Sequence, residues 1–303
     1  MRTTRHTVKA ATRGVPLLAA LVLALQVGCG SSDSQERADE KTDPGKEAAR
    51  LASKHFQRGR DFSKRQRFDK AEAAYRRALQ LDSSFAAAWI NLGNDAARQK
   101  QRRRAIRFYA KARKAYPAKT SVLIGRAYAA LRKADSARRA YEEALAADSA
   151  YAPAHLWLGQ LLEDQGRLKE ALRHTRRAHK LKPQSADYRY LLGAQLVQAG
   201  RVEEAIGHLE RVAKKKPWHY GAEYNLGQAL LQQGGRAKEA ERHLARADSL
   251  RRLQNDIGQL RSMIQTQPKN PEYWKRLAAK LKQAGREEEA AQARRRARTL
   301  TLP

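Results

Sequence analysis

The sequence predicts an all-α protein, an α-solenoid of about seven helix-turn-helix repeats with one extended or extra helix near 237–266. The first observation is a glycine ladder: Gly59, Gly93, Gly125, Gly159, Gly193 and Gly227 follow one another at steps of 34, 32, 34, 34 and 34. The second is an alanine ladder, Ala71, Ala105, Ala137, Ala171 and Ala205, that keeps the same steps. The third is composition. Helix formers dominate, aromatics make up 7% of the 303 residues, and no stretch alternates apolar and polar residues as a half-buried strand does. With 31% charged residues and a net charge of +31, most of the surface must be solvated.

The chain opens with Arg2, Arg5, Lys9 and Arg13 ahead of an apolar run from Val15 to Leu25, with no acid before Asp33. That run is roughly half of the ~20 residues needed to span a bilayer, which suits a secretory signal. Cys29, the only cysteine, follows directly in "QVGCGSSDS". One cysteine closes no internal disulfide. The stretch from Leu25 to Cys29 resembles a bacterial lipobox, which implies acylation of the Cys29 thiol and cleavage before it. Gly28 and Val27 fit the small positions, while Gln26 stands where leucine is usual. The expected organisation is therefore a lipoprotein-type signal peptide over 1–28, a flexible tether over 29–47 and a repeat array over 48–301. The tether is rich in serine and charge and carries about −3, leaving about +30 on the array.

Repeats are expected near 52–85, 86–117, 118–151, 152–185, 186–219, 220–253 and 271–301. The copy with Trp89-x2-Leu92-Gly93, then Ala105-x3-Tyr109, Ala112 and Pro117, resembles the tetratricopeptide repeat family, with its 34-residue period. The resemblance implies two antiparallel helices per repeat, stacked with a right-handed twist. Small residues at the ladder positions let the helices approach. Tyr75, Tyr109 and Tyr141, one turn beyond the alanines, are expected to fill the space between neighbouring repeats. Gly166 and Gly200 should end first helices at positive φ, and Pro117, Pro183 and Pro217 should stop second helices. Arg58 replaces the leucine before Gly59, as suits a capping copy, and the repeat over 86–117 is two residues short. Between Gly234 and Gly285, Leu250, Leu253, Ile257, Leu260 and Ile264 alternate steps of three and four. That favours a second helix running on to about Thr266, its seam facing Trp274, Leu277 and Leu281.

No catalytic signature is present: no G-x-S-x-G, no H-E-x-x-H, no phosphate loop and no dinucleotide fingerprint. The reading is a non-enzyme without cofactor or metal. His174 and His179 are five apart, share no helix face well, and read as solvated helix histidines. Glu163-Asp164 and Glu203-Glu204 read as charged helix faces.

The family resemblance implies that first helices line the concave face. Carried over by repeat position, Ile90, Asn91, Asn94, Arg98, Lys119, Leu123, Arg126, Leu156, Trp157, Gln160, Tyr190, Leu191, Tyr224, Asn225 and Gln228 look into a groove. Amides can pair with the backbone of an extended or helical protein segment, and Trp157, Tyr190 and Tyr224 can supply apolar pockets. The carboxylate clamp of chaperone-binding members is not expected, because Phe56, Arg60 and Leu123 occupy three of its five slots and only Asn91 and Lys119 agree.

From Arg98 to Lys119 ten cations occur without one acid. Arg102, Arg103, Arg104 and Arg107 lie at the start of a second helix, expected on the outer side. Such a stripe could meet an acidic partner, anionic lipid or nucleic acid. Without aromatic interleaving, and with export expected, nucleic acid is disfavoured. The function expected is a scaffold or adaptor, held by lipid at Cys29 in a bacterial envelope and helping assemble an envelope complex. Gly30 after the cysteine points to the outer membrane, facing the periplasm, in a cell that has one. The alternative is a basic array adhering to an anionic polymer or surface such as lipopolysaccharide, peptidoglycan or nucleic acid. Tetratricopeptide lipoproteins of pilus and outer-membrane assembly are similar in architecture.

Overall fold

A computed structural model describes residues 43–301. The expected signal peptide, Cys29 and the tether up to residue 42 lie outside them. The described residues hold fourteen helices and no strand: α1 (Pro44–Lys64), α2 (Phe68–Leu81), α3 (Ala86–Arg98), α4 (Arg102–Lys111), α5 (Pro117–Ala130), α6 (Ala134–Ala147), α7 (Ala152–Asp164), α8 (Leu168–Leu181), α9 (Ala186–Gln198), α10 (Val202–Lys215), α11 (Tyr220–Gln233), α12 (Ala237–Thr266), α13 (Pro271–Gln283) and α14 (Glu287–Thr301). They pair in order as seven repeats. The last four residues expected as tether form the start of α1. Pro44 can open that helix because a first-turn residue has no intrahelical use for its N–H, and Glu47 pairs there with Arg50.

Local chemistry sets the helix starts. Ser185 Oγ accepts from Tyr188 N–H, Asn270 Oδ1 from Glu272 N–H and His219 Nδ1 from Ala222 N–H. Pro117 and Pro271 supply fixed φ in the first turn. Each first helix ends in a left-handed residue, recurring at the repeat period as Gln66, Lys100, Arg132, Gly166 and Gly200, with φ of +58°, +61°, +56°, +74° and +69°. Glycine thus does this work in repeats four and five, and ordinary side chains do it in the first three.

The ladder glycines seat a bulky side chain from the second helix of the same repeat. A Cβ on Gly93 would lie 2.4 Å from the Tyr109 ring, and Gly59 and Gly125 meet Tyr75 and Tyr141 alike. This refines the expected inter-repeat role: the rings fill the gap inside their own repeat first. Only then do they join the next one, as Tyr141 does with Ala154 and Leu158. Repeats four to six present Thr175, Leu209 and Leu244 instead. The shortening of the second spacing falls on α4, ten residues long against fourteen in α2, α6, α8 and α10.

The late irregularity resolves as one continuous helix. α12 runs for 30 residues, through Gly258, where an added Cβ would meet no neighbouring group within 4 Å. Leu250, Ile257, Leu260 and Ile264 are buried along it, and its far half packs with Leu277 and Leu281, Trp274 lying beside them. No described helix is long and apolar enough to cross a membrane.

Candidate partner-binding face

The first helices α5, α7, α9 and α11 touch one another in sequence, so their outward positions form one continuous face. At its N-terminal end, α3, α4 and α5 border an open hollow of about 580 Å³ whose lining includes Asn94, Arg98, Lys100, Arg102, Tyr109 and Arg126. Tyr109 Oη donates to Asn94 Oδ1 at 3.0 Å, leaving the Asn94 Nδ2 as a donor. Burial pushes the Tyr109 phenol up to about 12, so it keeps its proton. Arg98 Nη1 donates to the Ser63 carbonyl at 3.1 Å and its guanidinium lies 5.0 Å over the Phe68 ring. Arg126 lies 4.5 Å over the Trp157 ring. Trp157 is half-buried against the Tyr141–Leu158 cluster and holds that guanidinium in place.

The other expected groove residues divide. Gln160 and Tyr224 are exposed, and Asn225 and Gln228 are half-buried beside Tyr224. Asn91 Nδ2 donates back to the Ala87 carbonyl at 2.9 Å, which spends part of its amide within α3. Tyr190 is a wedge between α9 and α11: its ring lies 4.2 Å from that of His219, and Asn225 Nδ2 donates to its hydroxyl at 3.4 Å. Ile90 is buried with Ala86 and Ala112 and does not reach the face. The sequence does not single out Tyr220 or Leu231, and it places Lys100 only among the ten cations of the basic stripe. Lys100 is a turn residue, and Tyr220 begins its helix. Leu231 could have been found, since it stands at one of the inward repeat positions.

The basic stripe divides too. Arg104 Nη2 donates to both carboxylate oxygens of Glu72 at 2.5 and 2.6 Å, tying α4 to α2, and Arg113 pairs with Glu143 at 3.2 Å. Arg102 donates to the Ala97 carbonyl and lines the hollow, so it is not confined to the outer side as expected. Arg103 and Arg107 are exposed. A run without acids in sequence acquires acids in space.

The histidines correct the sequence reading most. His174 is half-buried, with its Nδ1 3.0 Å from His155 Nδ1 across α7 and α8. His179 meets the His208 ring at 5.3 Å across α8 and α10. Burial holds all four below the ordinary imidazole range. Spacing along one helix says nothing about partners on the next. No group of three or more His, Cys, Asp or Glu among the described residues is placed to hold a metal ion.

Family models for "Tetratricopeptide repeat" match residues 52–85 and 118–151, the first and third repeats as spaced in the sequence. The model for "Anaphase-promoting complex, cyclosome, subunit 3" matches residues 139–212 and 164–247. No curated protein matches the sequence at a significant level. Among solved structures, the Pseudomonas aeruginosa pilF protein superposes with a TM-score of 0.58 at 17% identity, over 70% of this chain and 94% of that one. The APC/C hetero-tetramer Cut9-Hcn1 gives 0.57 at 16% identity, over 70% of this chain and 43% of that one. YrrB, described as a tetratricopeptide repeat protein with an unusual peptide-binding site, gives 0.48 at 26% identity, over 58% and 92%.

Proposed function

The chain belongs to the tetratricopeptide repeat family, and from that premise we propose that it is a lipid-anchored scaffold of a bacterial envelope, gripping a segment of a partner protein on the face formed by its first helices. Tetratricopeptide proteins bind protein partners and are generally non-catalytic, so the scaffold role follows from the fold. The observation that carries the grip is the hollow at Asn94, Arg98 and Arg126, an open recess with unspent donors on a face of first helices.

The anchor and its setting rest on the sequence: a basic start, a short apolar run, one cysteine directly after it, then a polar tether. Two or more acyl chains make release from a bilayer slow, whereas one gives marginal binding. Cys29→Ser should therefore move the protein from the membrane fraction to the soluble fraction of fractionated cells. Continued sedimentation with membranes overturns the anchor. Crosslinking of intact cells followed by pulldown identifies the partner, and Arg98→Gln with Arg126→Gln should reduce its yield.

The exposed Arg103 and Arg107 favour a second reading, adhesion of the outer face of α4 to an anionic polymer. Changing both to Gln should then flatten the salt dependence of lipopolysaccharide or nucleic-acid binding by about 2 units of slope.

A further inference from the structure

We infer that the segment held on the first helices has two ends of different chemistry. Acidic side chains lie toward repeats two and three, and an apolar side chain lies about eight or nine residues away, toward repeat six. The inference rests on the scaffold reading above and narrows it.

The acidic end follows from unbalanced charge. Arg98, Lys100, Arg102 and Arg126 line one hollow, and no acidic residue lines it. The nearest acid on α3, Asp95, is buried, accepts from Ser63 Oγ at 2.5 Å and stands 3.7 Å from Arg98. Arg102 spends an N–H on the Ala97 carbonyl and Arg98 spends one terminal nitrogen on Ser63, so both keep further donors. Arg126 is steadied by the face of Trp157, which leaves its in-plane N–H groups free to point at a carboxylate. The spare Asn94 Nδ2 adds a neutral donor at the same floor. Four cations crowded around one recess repel each other, and a carboxylate relieves them all.

The apolar end lies on α11. Tyr220, Tyr224 and Leu231 are 42, 49 and 47% exposed, three of the five large apolar side chains that stand out among the described residues. Offsets of four and seven put them on one stripe of the helix. Their neighbours Asn225 and Gln228 are uncharged.

Between the two ends the charge changes sign. Glu163 and Asp164 close α7, and Glu163 accepts from Gln195 and Gln198 at 2.8 and 2.7 Å. A second acid placed there would be repelled, which confines the acidic end to the first hollow. A uniform polyanion running along the face would meet the same repulsion. The spacing follows from the stacking. α5, α7, α9 and α11 are successive neighbours, and helices pack about 8–10 Å apart, so three steps span roughly 25–30 Å. An extended chain advances about 3.3 Å per residue, which gives eight or nine residues.

Displayed random peptides of about sixteen residues, long enough to reach both ends, are panned on the full chain at about 50 and 200 mM salt. The same panning is run on Arg98→Gln/Arg126→Gln and on Tyr224→Ala/Leu231→Ala, each checked for an unchanged helical spectrum and melting curve. The wild type should enrich peptides with two or more Asp or Glu set eight or nine residues from Leu, Phe or Trp. The arginine variant should lose the acidic bias and keep the apolar one, and the α11 variant should do the reverse. A labelled consensus peptide should bind the arginine variant about tenfold or more weakly, with less dependence on salt. Enriched peptides without acids, or an acidic bias that survives the arginine variant, overturn the two-ended segment and leave the scaffold reading standing. No enrichment at all, or peptides that neither variant affects, overturns the scaffold face itself.

Discussion

Arg132 and Gly166 occupy the same turn in adjacent repeats, at φ of +56° and +74°, and exchanging their residue types separates backbone strain from every other effect. Arg132 is exposed and no ion pair or hydrogen bond from its side chain is seen, so Arg132→Gly removes little but strain. A left-handed conformation costs an ordinary residue ~1–2 kcal/mol. Glycine returns about 0.4–1 kcal/mol of that through the larger entropy of its unfolded chain. The net expectation is a stabilisation of about 0.5–1 kcal/mol. Gly166→Ala is the mirror experiment: a Cβ there has nothing within 4 Å, so its cost is the backbone term alone, again about 0.5–1 kcal/mol but destabilising. Arg132→Asn controls for the lost charge, because asparagine tolerates this conformation. Urea unfolding followed by far-UV circular dichroism and by intrinsic tryptophan fluorescence reads the array, and the midpoint should move in opposite directions for the two variants. If Arg132→Gly lowers the midpoint, or both variants move it the same way, the strain account fails.

Gly93→Ala should destabilise the array by about 1–3 kcal/mol, since its Cβ would meet the Tyr109 ring at 2.4 Å; thermal melting tests this. Arg104→Gln should cost about 1 kcal/mol by breaking the two-oxygen pair with Glu72, and Glu72→Gln combined with it should add little more in a double-mutant cycle. Stability should fall as pH drops from 7 to 5. His155, His174, His179 and His208 are all held below their unfolded values by burial, so the unfolded chain binds protons first. Arg177 and Arg173 add to this at the first pair and Arg189 and Arg211 at the second, against Glu170 and Glu204, and His208→Gln should flatten the pH dependence measured by melting temperature.

The architecture could be read in the sequence because each repeat is a local unit whose small residues must recur where helices cross. The Gly93–Tyr109 pair is an example: both members fall at fixed offsets within one copy. The continuous α12 could be read as well, from Leu250 to Ile264, because a seam needs unbroken spacing. What escaped the sequence lies between repeats. The partners of Arg104 and His179 are 32 and 29 residues away, and no periodicity says which charges or rings face each other there. The site was legible only as a set of positions. That Tyr190 wedges against His219 while Tyr224 stays open depends on how α9 and α11 sit against one another, and both tyrosines hold the same place in the repeat.

In a stack of helix pairs each junction can open almost independently, since neighbours share only a packed surface. The 30-residue α12 removes that freedom at one place. Its first half completes the sixth pair and its second half packs with α13 and α14, so a single run of backbone hydrogen bonds crosses the border. The C-terminal end therefore cannot shed its last repeat as a separate step without breaking a helix in mid-course. Amide exchange should show α12, α13 and α14 losing protection together, as one cooperative block larger than a repeat, while α1 and α2 at the other end fray on their own.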